Sequence, residues 1–416
     1  MAKKIESRTA ADASVVWIQN PFDSLPLEGA RKMRYWLMAE AFVRAGWRVV
    51  YWTSDFSHAT KTKRVLTSLS SLPSLSSLDP ARFQLHLIPT KPYARNVSWA
   101  RVASHRAYAQ TWRRLAEDPA LPRPDVIVAS LPTLSGAAAA LEIGRRLGAK
   151  VVLDIQDAWP ETFERLAPKG LRWAAHLALT PLRHAAQRLY RAADVVTGVS
   201  ARYRALSGRP DFHLAYHGIE LGGSPTPNST RQTTTSPLRL VYSGNLGRTY
   251  DLATIVKMVE AHEDMTLDVA GFGAFTSICP RIRFHGFLAE ADLQRLFATC
   301  DIGLVPMPAD SWVGLPNKFA DYSRAGLRIV SSLGGESSAL LEKYGCGATY
   351  RVGDAASLAA AVARAATLPR TASLRLCAEE FDARRIYDVY VACVGPTLRV
   401  RGAPSSGRRH ATLRAW

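Results

Sequence analysis

The chain has 416 residues, 47% of them apolar, which suits two globular cores of roughly 200 residues and excludes a disordered or fibrous protein. Lysine and arginine outnumber aspartate and glutamate 53 to 35 for a net charge of +18, so an anionic partner is expected, either phosphorylated substrates or an anionic membrane surface. The arginines are spread through amphipathic helices with no RRM, zinc-finger or helix-turn-helix pattern, so nucleic acid is not an expected partner. The first predicted element is a strand, VVWIQ (Val15 to Gln19), which breaks at Asn20 and Pro21. A helix is predicted from Ala30 to Ala45, ended by Gly46, and then a strand from Trp47 to Thr53. Further strands are predicted at Phe83 to Pro89, Asp125 to Ser130, Lys150 to Asp157, Asp194 to Ser200 and Phe212 to Gly218. Helices fit between most of them, including Gly136 to Leu147 and a long one around Leu171 to Ala192. This alternation argues for a parallel sheet.

The segment from Gly222 to Pro237 is small, polar and proline-bearing, as linkers are. After it the alternation restarts, with strands at Leu238 to Asn245, Thr266 to Gly273, Arg281 to Phe287, Asp301 to Met307, Leu327 to Ser332 and Ala348 to Val352, and a helix from Asp251 to Ala261. The predicted organisation is a first α/β domain over 1–221, a linker over 222–237 and a second α/β domain over 238–380. A C-terminal helix over 381–398, packing back on the first domain, and a basic, disordered tail over 399–416 complete it. Leu66 to Leu78 is a low-complexity leucine and serine insertion, read as a surface loop. Two doubly wound sheets should bind a ligand beyond the carboxyl ends of their strands.

Chemistry gathers at the strand ends. YSGNLGRTYDL (Tyr242 to Leu252) runs strand, glycine turn, helix start, so Gly244, Asn245, Gly247 and Arg248 could present amides and a cation to a diphosphate. Gly271 and Gly273 follow another strand end; for each pair the alternative is a tight turn and nothing more. Asp157 and Glu161, in LDIQDAWPE, sit where a strand ends, and Asp157 is open to a second reading as a helix N-cap. Gly29 either lets the chain pass close to a ligand or makes a loop-to-helix turn. His58 is either a surface residue or a contact for an acceptor phosphate and an acid/base group. The helix from Leu171 to Ala193 carries Trp173, leucines, Arg172, Arg183, Arg188 and Arg191, and either lies on an anionic membrane or packs on the sheet.

The two glycine turns are followed by FHGFLAEADLQRLFATCDIGLVPMP and VGLPNKFADYSRAGLRIVSS. With GNLG, LPNK and DAWPE, the chain resembles the retaining glycosyltransferases of family 4, of the bacterial exopolysaccharide and O-antigen type, over almost its whole length. The resemblance implies a GT-B fold, two Rossmann-like α/β domains facing a central cleft. It also implies transfer of a sugar from a nucleotide-diphosphate sugar to a lipid-linked or polysaccharide acceptor with retention, in cell-surface polysaccharide synthesis. It places His285, Phe287 and Leu288 near the nucleobase, Asp321 on the ribose hydroxyls, and Asn317 and Lys318 at the diphosphate or donor sugar. Lys318 joins Asp157 and His58 as a catalytic candidate, and Gly29, Glu161 and His217, the last where asparagine is usual, fall on the acceptor side. The family has two glutamates spaced as 313 and 321 are here, and this chain has Val313 and Asp321. A non-catalytic nucleotide-sugar-binding relative and a nucleotide-sugar epimerase are the alternatives. No carboxylate pair of the metal-binding kind stands at a strand end, so no metal or other cofactor is expected.

The start, MAKKIESRTAADAS, is polar and no run reaches the roughly 18 apolar residues of a spanning helix, so a cytoplasmic protein is expected, with peripheral attachment to the inner face of the membrane. Cys279, Cys300, Cys346, Cys377 and Cys393 have no CxxC spacing and read as buried thiols.

Overall fold

A computed structural model describes residues 13–64, 78–222, 237–247, 250–308 and 310–395. Most of the leucine and serine insertion, most of the linker, Arg248 and the basic tail lie outside these residues.

The first sheet comprises β1 (Val15–Gln19), β2 (Arg48–Ser54), β3 (Phe83–Ile88), β4 (Val126–Leu131), β5 (Lys150–Ile155), β6 (Val195–Gly198) and β7 (His213–Leu214). All pair in parallel, in the order β3-β2-β1-β4-β5-β6-β7. Its helices are α1 (Arg34–Arg44), α2 (Trp99–Leu115), α3 (Leu134–Leu147), α4 (Arg172–Ala192) and α5 (Arg202–Ser207). Near-continuous apolar strands such as VVWIQ are buried on both faces, as a parallel sheet requires. Trp17, Trp52 and Trp112 fill one face and Tyr35, Trp36 and Tyr51 the other.

The second sheet holds β8 (Leu238–Ser243), β9 (Met265–Ala270), β10 (Ile282–Gly286), β11 (Ile302–Val305), β12 (Arg328–Ser331) and β13 (Gly347–Thr349), again parallel, in the order β10-β9-β8-β11-β12-β13. Helices α6 (Leu252–Ala261), α7 (Glu290–Ala298), α8 (Lys318–Arg324), α9 (Glu336–Tyr344), α10 (Ala355–Ala366) and α11 (Arg370–Leu376) cover it. The last helix, α12 (Ala383–Val394), returns to the first domain, where Tyr387, Tyr390, Val391 and Val394 join the core beside α1. The expected fold class, two Rossmann-like α/β domains, is therefore the observed one.

Two expectations need correction. Helix α1 begins at Arg34 rather than Ala30: residues 30–33 form no helical turn, Met33 is extended, and the two side chains before it are drawn into ion pairs elsewhere. Arg31 reaches Asp321 at 2.6 Å, and Lys32 reaches Glu40 and Glu220 at 3.0 and 2.8 Å. Strand β7 is two residues long, because Arg34 Nη1 takes the carbonyls of Ala215 and Tyr216, at 2.9 and 2.8 Å, that a longer ladder would use. That guanidinium is itself buried, held by Asp154 through two bonds of 2.9 Å. Asp154 also accepts from Tyr35 and Thr197, so one carboxylate at 0% exposure ties α1, β5 and β6 together and fixes the segment that carries His217. Four of the five cysteines are buried and all are free; Cys393 is exposed.

Candidate functional site

A cleft of about 670 Å³ opens between the carboxyl ends of the two sheets. The second domain contributes the turn after β8, the ends of β9 and β10, Met307, and the segment from Val313 to Asp321; the first contributes Gln156, Asp157, Val199, Ser200, Tyr203 and His217. Such a location, outside the strand ends where the strand order reverses, is the general ligand position of doubly wound folds.

At its floor the backbone turns of β8 and β9 are in close contact. Gly271, at φ +146°, donates its amide to the Gly286 carbonyl, and a Cβ there would fall 1.7 Å from the Gly244 carbonyl oxygen. Gly244, at φ +140°, has no room either, since its Cβ would lie 2.8 Å from Lys318 Nζ. The glycines are thus required by the approach of backbone to backbone and of lysine to turn, while the Gly244 and Gly271 amides, expected to meet a diphosphate, are taken by the Ala270 and Gly286 carbonyls. Gly271→Ala is expected to push the β8 turn off Lys318. A nucleoside diphosphate should then bind at least tenfold more weakly while the circular dichroism spectrum stays native; unchanged affinity would contradict this packing.

Lys318 begins α8, and its ammonium lies 4.8 Å from the Tyr250 ring centroid and 5.2 Å from that of Tyr242. Burial lowers its pKa to about 8, partly opposed by Asp321. No carboxylate lies within ion-pair distance of it among the described residues. One turn along α8, Asp321 faces the same cleft and receives Arg31 from the first domain. Phe272 and Phe287, 65% and 67% exposed, stack at 5.0 Å with rings 9° apart on the cleft edge. Neither Phe272 nor Arg31 was picked out from the sequence, because nothing in their spacing marks them.

Asp157 lines the cleft opposite, where burial raises its pKa against hydrogen bonds from the Ala158 backbone, Trp159 and Thr162. The Trp159 indole donates to its Oδ2 at 3.2 Å. His217 also lines the cleft, its pKa lowered to about 3 by burial and by Arg34, so the ring is neutral.

The cleft therefore gathers Gly244, Asn245, Gly271, Phe287, Leu288, Asn317, Lys318, Asp321, Asp157 and His217. Other candidates lie elsewhere. His285 turns from the cleft to bond Asp268 at 2.8 Å, a carboxylate shared with Arg239, and so belongs to the framework of β9 and β10. Gly273 is occupied with the Leu246 backbone, 2.5 Å from where its Cβ would be, and Gly247 does not line the cleft. Gly29 caps the short helical turn Pro26–Glu28 with φ 74°, the loop reading of that residue. Glu161 is buried at 8% exposure in the helical turn Glu161–Leu166, away from the cleft, with Oε2 unpartnered. His58 bonds Tyr93 at 2.5 Å, outside the cleft lining, and burial together with Lys61 and Arg101 lowers its pKa to about 4, too far from neutrality for efficient acid/base exchange.

Comparison with known proteins agrees with this architecture. Residues 32–212 match the model of the glycosyl transferase 4-like domain, and residues 238–367 match that of glycosyl transferases group 1. Sucrose-phosphate synthase from Thermosynechococcus elongatus superposes with a TM-score of 0.67 at 13% identity, over 93% of this chain and 99% of that one. Anabaena Alr3699/HepE, solved in complex with UDP, gives 0.62 at 14% identity over 92% and 100%. The catalytic domain of starch synthase IV from Arabidopsis thaliana, bound to ADP and acarbose, gives 0.60 at 12% over 93% and 99%. At these identities the likeness to solved structures is one of fold. No curated protein matches the sequence. Fold and family matches together define a glycosyltransferase of the GT-B type. Within that class, the first domain is a glycosyl transferase 4-like domain and the second a glycosyl transferases group 1 domain.

Proposed function

We propose that this glycosyltransferase moves a sugar from a nucleoside-diphosphate sugar to a hydroxyl of a lipid-linked or polysaccharide acceptor, with retention of anomeric configuration, in cell-surface polysaccharide synthesis. The observation that carries this reading is the Lys318 ammonium, set beneath the Gly244 turn with no carboxylate in ion-pair reach among the described residues. In the step, the bond from the sugar's anomeric carbon to the diphosphate breaks and the pair of electrons leaves with the nucleoside diphosphate. The acceptor oxygen bonds to the same carbon and passes its proton to the departing diphosphate. Charge grows on the departing diphosphate, and Lys318, held beside the Gly244 turn, opposes it without a divalent ion. Phe272 and Phe287 offer an apolar face to the base, Asp321 reaches the ribose, and Asp157 faces the acceptor side.

The test is incubation of the chain with nucleotide sugars and extracted bacterial lipid or polysaccharide in excess EDTA, followed by NMR of the product. Sugar transferred with the donor's anomeric configuration is expected. Donor turnover without transfer, an inverted product or abolition by EDTA would each overturn the corresponding part of the proposal.

Membrane attachment through α4 also belongs to this proposal. Among the described residues no helix is long and apolar enough to cross a membrane. Yet α4 and the residue before it expose Leu171, Trp173, Leu177 and Leu182, beside Arg188 and Arg191. Arg172 and Arg183 are less available, paired with Asp310 and Glu164. The apolar side chains therefore carry most of the expected contact. Sedimentation with vesicles containing anionic lipid should fall severalfold for Trp173→Ser with Leu177→Ser, and equal sedimentation would remove α4 from the membrane face.

A further inference from the structure

A second group of side chains stands beside the cleft at the carboxyl end of the first sheet. It is drawn from the loops after β1, β2, β3 and β5 and from the first turns of α2, and comprises Phe22, His58, Lys61, Tyr93, Arg101, His105 and Trp159. Two of its members are cations with no carboxylate in ion-pair reach among the described residues. Lys61 Nζ donates to Asn96 Oδ1 at 2.7 Å and to His58 Nδ1 at 3.2 Å. Arg101 Nε donates to His105 Nε2 at 3.3 Å and Nη1 to the Asn96 carbonyl at 2.9 Å. Besides Tyr93, Arg101 feels the charge of Asp157, in the cleft.

The two histidines complete the pattern. Burial and the neighbouring cations keep both rings neutral, with pKa values lowered to about 4 for His58 and about 3 for His105. Each accepts from a cation on one nitrogen, so the other carries its proton and is a donor. Two half-buried cations and two neutral rings stand together here, and Arg101 weakens the tendency of Lys61 to hold charge. Such an arrangement is costly in an empty protein and is offset by an anion. The aromatic members matter too: the Arg101 guanidinium lies 4.6 Å from the Trp159 ring centroid, and that indole donates to Asp157. The anion position is thus joined through Trp159 to the carboxylate that faces the donor cleft.

We propose that Lys61, Arg101 and the rings around them form the acceptor subsite, and that it takes an acceptor bearing a phosphate close to the hydroxyl that is glycosylated. This rests on the transfer reaction proposed above and specifies its acceptor. Val97 and Trp99, 63% and 87% exposed on the segment between Asn96 and Arg101, lie where an apolar tail beyond that phosphate would run.

The test is calorimetric titration of the full chain, saturated with whichever of UDP, GDP or ADP stabilises it, using α-D-glucose 1-phosphate, farnesyl diphosphate and glucose as probes. At least one phosphorylated probe should bind in a salt-sensitive way, and glucose should not. The Lys61→Gln, Arg101→Gln double variant should bind that probe at least tenfold more weakly yet keep its nucleotide stabilisation, which shows that it is folded. Binding of the sugar phosphate places the phosphate on the acceptor sugar itself; binding of the prenyl compound alone places it on a lipid carrier. The proposal is overturned if neither phosphorylated probe binds the parent chain, or if the double variant binds as the parent does. The titration is repeated on Lys318→Ala protein without nucleotide, so a failure of the donor reading leaves the acceptor result legible.

Discussion

Replacing Lys318 with alanine is expected to lower kcat for sugar transfer by about 100- to 1000-fold, the usual cost of losing one preorganised group that meets charge developing on a leaving atom. The reason lies in the group's surroundings. Its ammonium rests against two tyrosine rings and a glycine turn, and burial has brought its pKa down to about 8 from 10.5. A diphosphate restores what burial removed, so nucleotide binding and the charged lysine support each other. Affinity for the nucleoside diphosphate should therefore decline as pH rises through about 8, a window in which the terminal phosphate, ionising at about pH 6, is already fully charged. In the empty protein the linkage has a consequence of its own. Between about 8 and 10.5 the unfolded chain holds a proton that folded Lys318 has lost, so this residue's contribution to stability grows with pH across that range. Lys318→Ala should abolish the pH dependence of binding and keep a native melting transition. A variant that retains both rate and pH profile would remove Lys318 from the mechanism.

The second large effect is on stability. Asp154→Ala is expected to destabilise the first domain by about 3–5 kcal/mol, because it strands the Arg34 guanidinium in the core without a counterion. Burial alone would raise the Asp154 pKa, but Arg34 and the hydrogen bonds from Arg34, Thr197 and Tyr35 outweigh it and hold the carboxyl below its usual range. Arg34 also carries the Ala215 and Tyr216 carbonyls, so the loss should extend to the crossing segment and His217. Thermal unfolding should begin about 10 °C lower. Pairing the change with Arg34→Met, as Asp154→Leu with Arg34→Met, should recover much of the stability, since two apolar groups of similar volume need no counterion. If the single and double variants melt together, the pair is not what holds this region.

Much of this architecture was legible before any coordinates. Apolar runs of strand length separated by helical periodicity fixed both parallel sheets, and glycines after strand ends marked the turns around Gly244 and Gly271. LPNK located α8, with Asn317, Lys318 and Asp321 on the cleft. What could not be read were the partnerships. His285 stands at a strand end exactly as a ligand contact would, and only the buried Asp268 beside it shows that its ring is already engaged. Helix α2 was not singled out because its polar, arginine-rich run gives a weak periodic signal, yet it supplies Arg101 and His105. Arg31 meets Asp321 across 290 positions of chain, a distance at which sequence carries no register. The acceptor-side cluster is assembled from four separate loops and has no motif at all.

The account turns on a cleft that grips a nucleoside diphosphate by one lysine and one carboxylate. The most direct measurement is calorimetric titration of the parent chain, Lys318→Ala and Asp321→Ala with UDP, GDP and ADP and with the matching nucleosides. One diphosphate should bind the parent, Lys318→Ala should weaken it at least tenfold with little change for the nucleoside, and Asp321→Ala should weaken both. No binding by any of the three diphosphates, or binding that both variants leave untouched, would contradict it.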